Sequence, residues 1–439
     1  MRDFIVLAII FGSVPICFIN PYFGVLMWSW IAYFNPHRFT WGIAYHFPVA
    51  WVVALPTLAG LFFTPQKNRG LVTRETVLLF SLGIWFWIVT LYASQQPIFA
   101  DHIFAFGLAQ LSRITKILLM TFVTILLVNS KEKLKYLCLV IACSIGAVAL
   151  KGAIFGARTE GLSRVYGPPD SFIADNNAFA LAMNMTLPIL YFMARETQNR
   201  ILRFVLRVFF VSGIIAVILS YSRGGLVGLA VVLGLIAMRS RYKLAAVAIL
   251  LILAFLVISF APPAWMARMG NFVHGNLDNS AEKRLNAWHF AWVLALHYPL
   301  TGGGFETFTP ELFQQFTPGL EFAGPHSIYF QLLGEQGFVG LGLYLSLLAC
   351  SWLTLRKIRK GAKYVPSCQW MVSYTYMLEV SFLGYMVSGA FLPLGYFDYY
   401  YQLVAIIVLL KIFYRREVAQ TAVSAEEQPV ATMTVATAS

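Results

Sequence analysis

The side chains able to do chemistry in this chain are few, and most are guanidiniums. Arg158, Arg164, Arg223, Arg268 and Arg284 lie between apolar runs, Asp175 and Asn177 open one such run, and His326-Ser327 opens another. A guanidinium offers its N–H groups as a rigid fork that matches phosphate oxygens, and several of them meeting at a membrane surface suit a pyrophosphate. The competing assignment is ordinary pairing with Glu160, Asp175 or Glu282, or with lipid headgroups. A single histidine at a membrane interface is more often a hydrogen-bonded anchor than a catalyst. Beside His326, however, Glu335 falls inside an apolar stretch, where an ionisable group is a functional candidate by default.

These residues must be positioned by membrane helices. The chain is 59% hydrophobic and 12% charged, with a mean hydropathy of +0.71, far more apolar than soluble domains. Apolar runs place spans near 48–63, 75–93, 111–128, 135–155, 175–194, 201–219, 223–238, 243–260, 327–354, 371–391 and 399–414. Pro15, Pro21 and Pro36 break the region 3–34 into either one kinked span or a tight hairpin. The fold expected is an all-α polytopic membrane protein of about 12 transmembrane helices, the count that puts both termini in the cytoplasm.

Sidedness follows from the cations. Lys67, Arg69 and Arg74, then Lys131, Lys133 and Lys135, and so on to Arg415 and Arg416, occupy alternate loops, which the positive-inside rule assigns to the cytoplasm. That accounts for a net charge of +13 better than nucleic-acid binding does. The five arginines named above fall on the opposite, outward side, against the topology signal. Residues 261–325 form the one long outward loop, a helical cap rich in aromatics with a helix near Ala281–Leu296, between a bundle at 1–260 and helices at 326–416. Residues 417–439 read as a disordered cytoplasmic tail. The five cysteines imply no disulfide framework, and no Cys/His cluster or outward Asp-x-Asp pair implies a metal; no cofactor is expected.

The stretch His326-Ser327 through Gly337 and Gly340 (HSIYFQLLGEQGFVG) resembles the signature that follows the large periplasmic loop of the O-antigen ligase and polymerase superfamily. So do Arg284-x-x-x-Trp288, Pro299-Leu-Thr-Gly302-x-Gly304, the turn Tyr221-Ser222-Arg223-Gly224 and Asp175-Asn176-Asn177, together covering roughly residues 155–345. The N-terminal region resembles the O-glycosylation ligase subgroup. The resemblance implies transfer of a glycan from undecaprenyl pyrophosphate to the lipid A core, on the periplasmic face of a bacterial inner membrane, with inversion and without a metal.

On that basis Arg223 and Arg284 are expected to stabilise the leaving pyrophosphate with Arg164, and Arg158 and Arg268 are secondary choices. His326 is the expected base, with Glu335 its rival, and Asp175, Asn177 or Glu335 would orient sugar hydroxyls. The partners implied are the lipid-linked donor, the lipid A core acceptor and membrane lipids, and no nucleic acid. A polymerase or a ligase acting on protein hydroxyls shares the donor. A lipid-linked glycan transporter is the alternative from another class, but the two halves show no convincing internal repeat.

Overall fold

A computed structural model describes residues 1–240, 243–260, 265–266 and 279–426, and among these the chain is helical with no strand. The helices are α1 Arg2–Ile19, α2 Pro21–Phe34, α3 Val49–Phe63, α4 Arg74–Ser94, α5 Leu108–Leu127, α6 Lys131–Arg158, α7 Asn176–Glu196 and α8 Arg200–Leu219. They continue with α9 Arg223–Met238, α10 Lys243–Phe260, α11 Asn279–His297, α12 Pro310–Phe316, α13 Ile328–Ala362, α14 Gln369–Gly389 and α15 Asp398–Glu426. Several begin on a side chain that accepts an otherwise orphaned backbone N–H: Thr73 from Thr76, Ser130 from Lys133, Asp175 from Asn177, Asn199 from Leu202 and Ser222 from Gly225.

Every predicted span position carries a helix, but not all are long. Among the described residues, 7 helical stretches are long and apolar enough to cross a membrane by length and composition, while α3 and α9 are apolar and shorter. The chain is a multi-pass membrane protein. The region 3–34 is the hairpin of the two alternatives. Its turn at Asn20 lies at the end bearing the lysine-rich loops, because Tyr22 Oη donates to Lys133 O at 2.8 Å. Its start lies at the opposite end, because Asp3 Oδ1 accepts from the amides of Gly42 and Ala44 at 3.0 and 3.1 Å. Helix α15 runs toward the cationic end, where Arg416 reaches Asn129 O. The expectation that both termini share one side is therefore corrected: the Asn20 turn adds a crossing that a single kinked span would lack. Helix α15 also continues to Glu426, so residues 417–426 of the expected tail are helical, while 427–439 lie outside the described residues.

Two helices form the centre. Nearly every side chain of α7 is buried, and in α15 the whole run Tyr399–Leu410 is buried, apart from the polar Gln402 an unbroken series of aromatic and aliphatic groups. A helix apolar on all faces has no reason to sit at the surface of a bundle. Helix α7 packs against α6, α8, α9 and α14, and α15 against α4, α5, α13 and α14. At the cationic end two buried carboxylates tie helices together. Glu75 of α4 accepts from Lys411 of α15 at 2.6 Å and from Thr354 of α13. Glu379 of α14 takes Arg239 of α9 at 2.7 Å and Arg359 of α13.

The cap is attached through a break in α13. Gly337 has φ 66° and ψ −171°, a backbone conformation that essentially only glycine holds. The break frees three consecutive carbonyls, and each is taken: Gly334 O by Gly303 N at 2.9 Å, Glu335 O by Gly304 N at 3.0 Å, and Gln336 O by Trp85 Nε1 at 3.0 Å. In return Phe338 N donates to Pro299 O at 2.8 Å. A Cβ on Gly337 would collide with Leu300 O. Around this seam α11 and α12 bury Phe290 against Phe313, ring centroids 4.1 Å apart, so the aromatic loop is a packed cap over residues 279–325.

Two outcomes follow. Gly337→Ala should lower the thermal unfolding midpoint in detergent by the equivalent of at least about 2 kcal/mol. Gly342→Ala, on the same helix with nothing near its Cβ, should be neutral or slightly stabilising. Second, cysteines placed at the exposed Trp41 and Tyr364 should react with a membrane-impermeant maleimide from opposite faces.

Candidate active site

Arg223 and Arg284 line one cavity of about 390 Å³, at the end of the bundle away from the lysine-rich loops. Arg223 is the first residue of α9, whose turn is set by Ser222 Oγ accepting from Gly225 N at 3.0 Å and by Tyr221 in the left-handed region with φ 59°. Tyr221 Oη donates to Gly161 O, holding that turn to the 159–175 loop. The helix start adds backbone N–H groups and a positive dipole end to the guanidinium beside it. Arg284 comes from the cap helix α11. The rest of the wall is apolar: Leu226, Val227, Trp265, Leu285, Trp288 and Phe391.

His326 does not itself line this cavity, but its neighbours tie it to Trp288, which does. Trp288 Nε1 donates to Pro325 O at 3.1 Å and the Trp288 ring stacks on Phe330, centroids 4.9 Å apart with planes 8° from parallel. One residue further, His326 itself has φ 42°, a strained conformation for a non-glycine residue, before α13 begins at Ile328. Burial, then the Arg284 charge, push the His326 imidazole below its ordinary pKa, while Asp175 pulls it back up. The lowered pKa favours the neutral imidazole, the form able to accept a proton.

Not every residue singled out from the sequence comes to this place. Asp175 caps α7, accepting from Asn177 N at 2.8 Å, and its remaining surface faces solvent near His326. Asn177 donates to Asn176 Oδ1 at 3.3 Å. Arg158 and Arg164 are exposed and line neither this cavity nor the larger one described below. They lie at the same end of the bundle without reaching either cavity, because sidedness does not specify position. Arg268 lies outside the described residues. Glu335 is 3% exposed, so it does not meet a sugar in either cavity; the chain uses its backbone carbonyl in the cap seam. Among the described residues no three His, Cys, Asp or Glu side chains group as a metal site would require.

A larger cavity of about 850 Å³ at the same end was not anticipated. Its charged lining includes Arg38, Arg113, Lys116, Asp170, Glu306 and Asp398. Arg113 and Lys116 lie inside the predicted span 111–128, and charges within an otherwise apolar span were the signal that could have disclosed it.

A family model described as O-Antigen ligase matches residues 208–345, which hold Arg223, Arg284, the glycine loop, His326 and Gly337. The chain belongs to the O-antigen ligase superfamily. This ligase-type protein therefore has glycosyltransferase-like activity in the broad sense of that superfamily, in a context of lipid-linked glycan and membrane lipid. A model for a family of unknown function matches residues 1–198 of the ligase-type chain, and no curated protein matches it.

The electrostatics of His326 can be tested directly. In isotopically labelled ligase-type protein, Arg284→Gln should raise the His326 titration midpoint and Asp175→Asn should lower it, both read by NMR.

Proposed function

We propose that the protein is an inverting, metal-independent ligase that transfers O-antigen glycan from undecaprenyl pyrophosphate to the lipid A core, on the periplasmic face of a bacterial inner membrane. The observation that carries this reading is the cavity joining Arg223 and Arg284 against an apolar wall, with His326 close enough to feel the Arg284 charge. A pyrophosphate attached to a prenyl chain has both properties that the cavity matches, a concentrated anion and an adjoining apolar body.

The acceptor hydroxyl attacks the anomeric carbon as the bond from that carbon to the pyrophosphate oxygen breaks. His326 takes the hydroxyl proton, the new glycosidic bond forms with inversion, and undecaprenyl pyrophosphate leaves with the bonding electron pair. Negative charge grows on the leaving oxygen, where two guanidiniums and the start of α9 stabilise it more in the transition state than in the ground state. Guanidiniums fill the part that a divalent cation plays on other diphosphates.

Purified protein given undecaprenyl pyrophosphate glycan and lipid A core should transfer glycan with EDTA present. His326→Ala and Arg223→Ala should each lower the rate by about 10²–10³-fold. Lengthening of the donor glycan with lipid A core untouched would make the protein a polymerase, and full activity in both variants would remove these residues from the site.

A further inference from the structure

The 850 Å³ cavity contains neither Arg223 nor Arg284 and differs from their cavity in charge. Its cations face anions or an aromatic ring. Arg38 pairs with Asp170 at 3.5 Å, and Asp170 also accepts from Tyr45 Oη at 2.6 Å. Arg113 acts on Glu306, and Lys116 lies over the Trp51 ring, 5.0 Å from its centroid. His37 is kept neutral, its pKa pushed down to about 4 by burial and then by Arg38. A lining that mixes both signs offers less to a polyanion than the arginine cavity does. It offers much to a ligand whose groups donate to carboxylates and accept from guanidiniums at once, as each hydroxyl does.

Three buried polar atoms in this lining, His37 Nδ1, Arg38 Nε and Asp398 Oδ1, have no hydrogen-bond partner among the described residues. Buried polar groups are almost always satisfied, so three unpartnered atoms just behind one cavity wall are unusual, and small side-chain shifts would open them to a ligand. Between the polar groups stand the half-buried Trp28 and Phe172, backed by the buried Tyr396 and Phe397, and the first two offer flat apolar faces of the kind on which the C–H face of a sugar ring rests. The turn at 391–398 lines both cavities, Phe391 the arginine cavity and Pro393 to Asp398 the larger one. Of the larger cavity's lining, only Glu306 and Gln331 fall within the ligase match; the rest comes from residues 28–50, 110–117, 170–172 and 393–398.

We propose that this cavity binds uncharged sugar residues of a glycan, and that the N-terminal region of unknown function thereby selects which sugars the protein engages. The assignment of those sugars to a transferred glycan rests on the ligase reading above; the binding itself does not. The sugars belong to the donor glycan or to the acceptor.

The test uses the full chain in lipid nanodiscs and saturation-transfer NMR. The neutral probes are methyl α-D-glucopyranoside, methyl α-D-galactopyranoside and methyl α-L-rhamnopyranoside, with glucose 1-phosphate and glucuronic acid as anionic comparators. At least one neutral glycoside should receive saturation at least threefold more strongly than either anionic probe. Arg113→Gln and Asp398→Asn should each reduce that signal threefold or more, and Arg223→Ala should leave it intact. Absence of any neutral signal, preference for the sugar phosphate, or a signal unchanged in both cavity variants would overturn the proposal, and the wild-type comparison stands even if a variant does not fold. Displacement of the probe by undecaprenyl pyrophosphate glycan identifies the donor as the source, and displacement by lipid A core identifies the acceptor. Displacement by neither overturns the link to glycan substrate. Probe binding that persists in protein unable to transfer glycan supports the cavity and removes the ligase reading instead.

Discussion

A helix that breaks inside a membrane bundle must find new partners for the backbone groups it releases, because no water is at hand to take them. At Gly337 this requirement is met by the loop 298–304 and by Trp85, which between them cap the carbonyls of Gly334, Glu335 and Gln336. The same bonds fix the C-terminal end of α11. Its middle is held by Trp288, bonded to Pro325 O and stacked on Phe330. With α11 pinned at two points, the backbone that carries Arg284 is fixed, and the residue after Pro325 is His326. The break, the glycine loop, the tryptophan and the site are one construction.

The opposite end of the bundle is built on different physics. Glu75 and Glu379 are almost completely buried, and each is met by cations from neighbouring helices. Removing one partner of such a set leaves a charge stranded in an apolar setting, which is costly even where the intact set adds little net stability. These carboxylates therefore specify which helices meet, α4 with α13 and α15, and α9 with α13 and α14. The site end carries strained backbone instead, at Tyr221, Glu306 and His326. Rigid charge pairing at one end and strain at the other is the arrangement expected where only one end does chemistry.

Much of the fold was legible in the sequence because a membrane helix is declared by a local run of apolar residues, and every such run is a helix in the structure. The hairpin at 3–34 was left open since two short pieces and one kinked piece have the same composition. Arg223, Arg284 and His326 could be singled out because each breaks a local expectation for charge or position. Arg158 and Arg164 break the same expectation yet remain exposed, since local pattern reports the side of the membrane and not the neighbours. The larger cavity was legible only in Arg113 and Lys116, which interrupt an apolar span; Arg38, Asp170 and Asp398 lie far from them in the chain and meet them only through tertiary packing. Glu335, marked for its side chain, also contributes a backbone oxygen to the cap seam, which no sequence pattern announces.

Helix α15 fills the centre of the bundle, yet it follows all the other described helices in the chain. During synthesis the helices around it enter the bilayer while the groove they share is still without its core. Until α15 arrives, that groove is open to lipid tails, and the carboxylate of Glu75 lacks Lys411. Closure of the bundle is therefore a late event in biogenesis, and a chain halted before Asp398 would present the membrane quality-control machinery with an acid short of its cation and an unfilled seam.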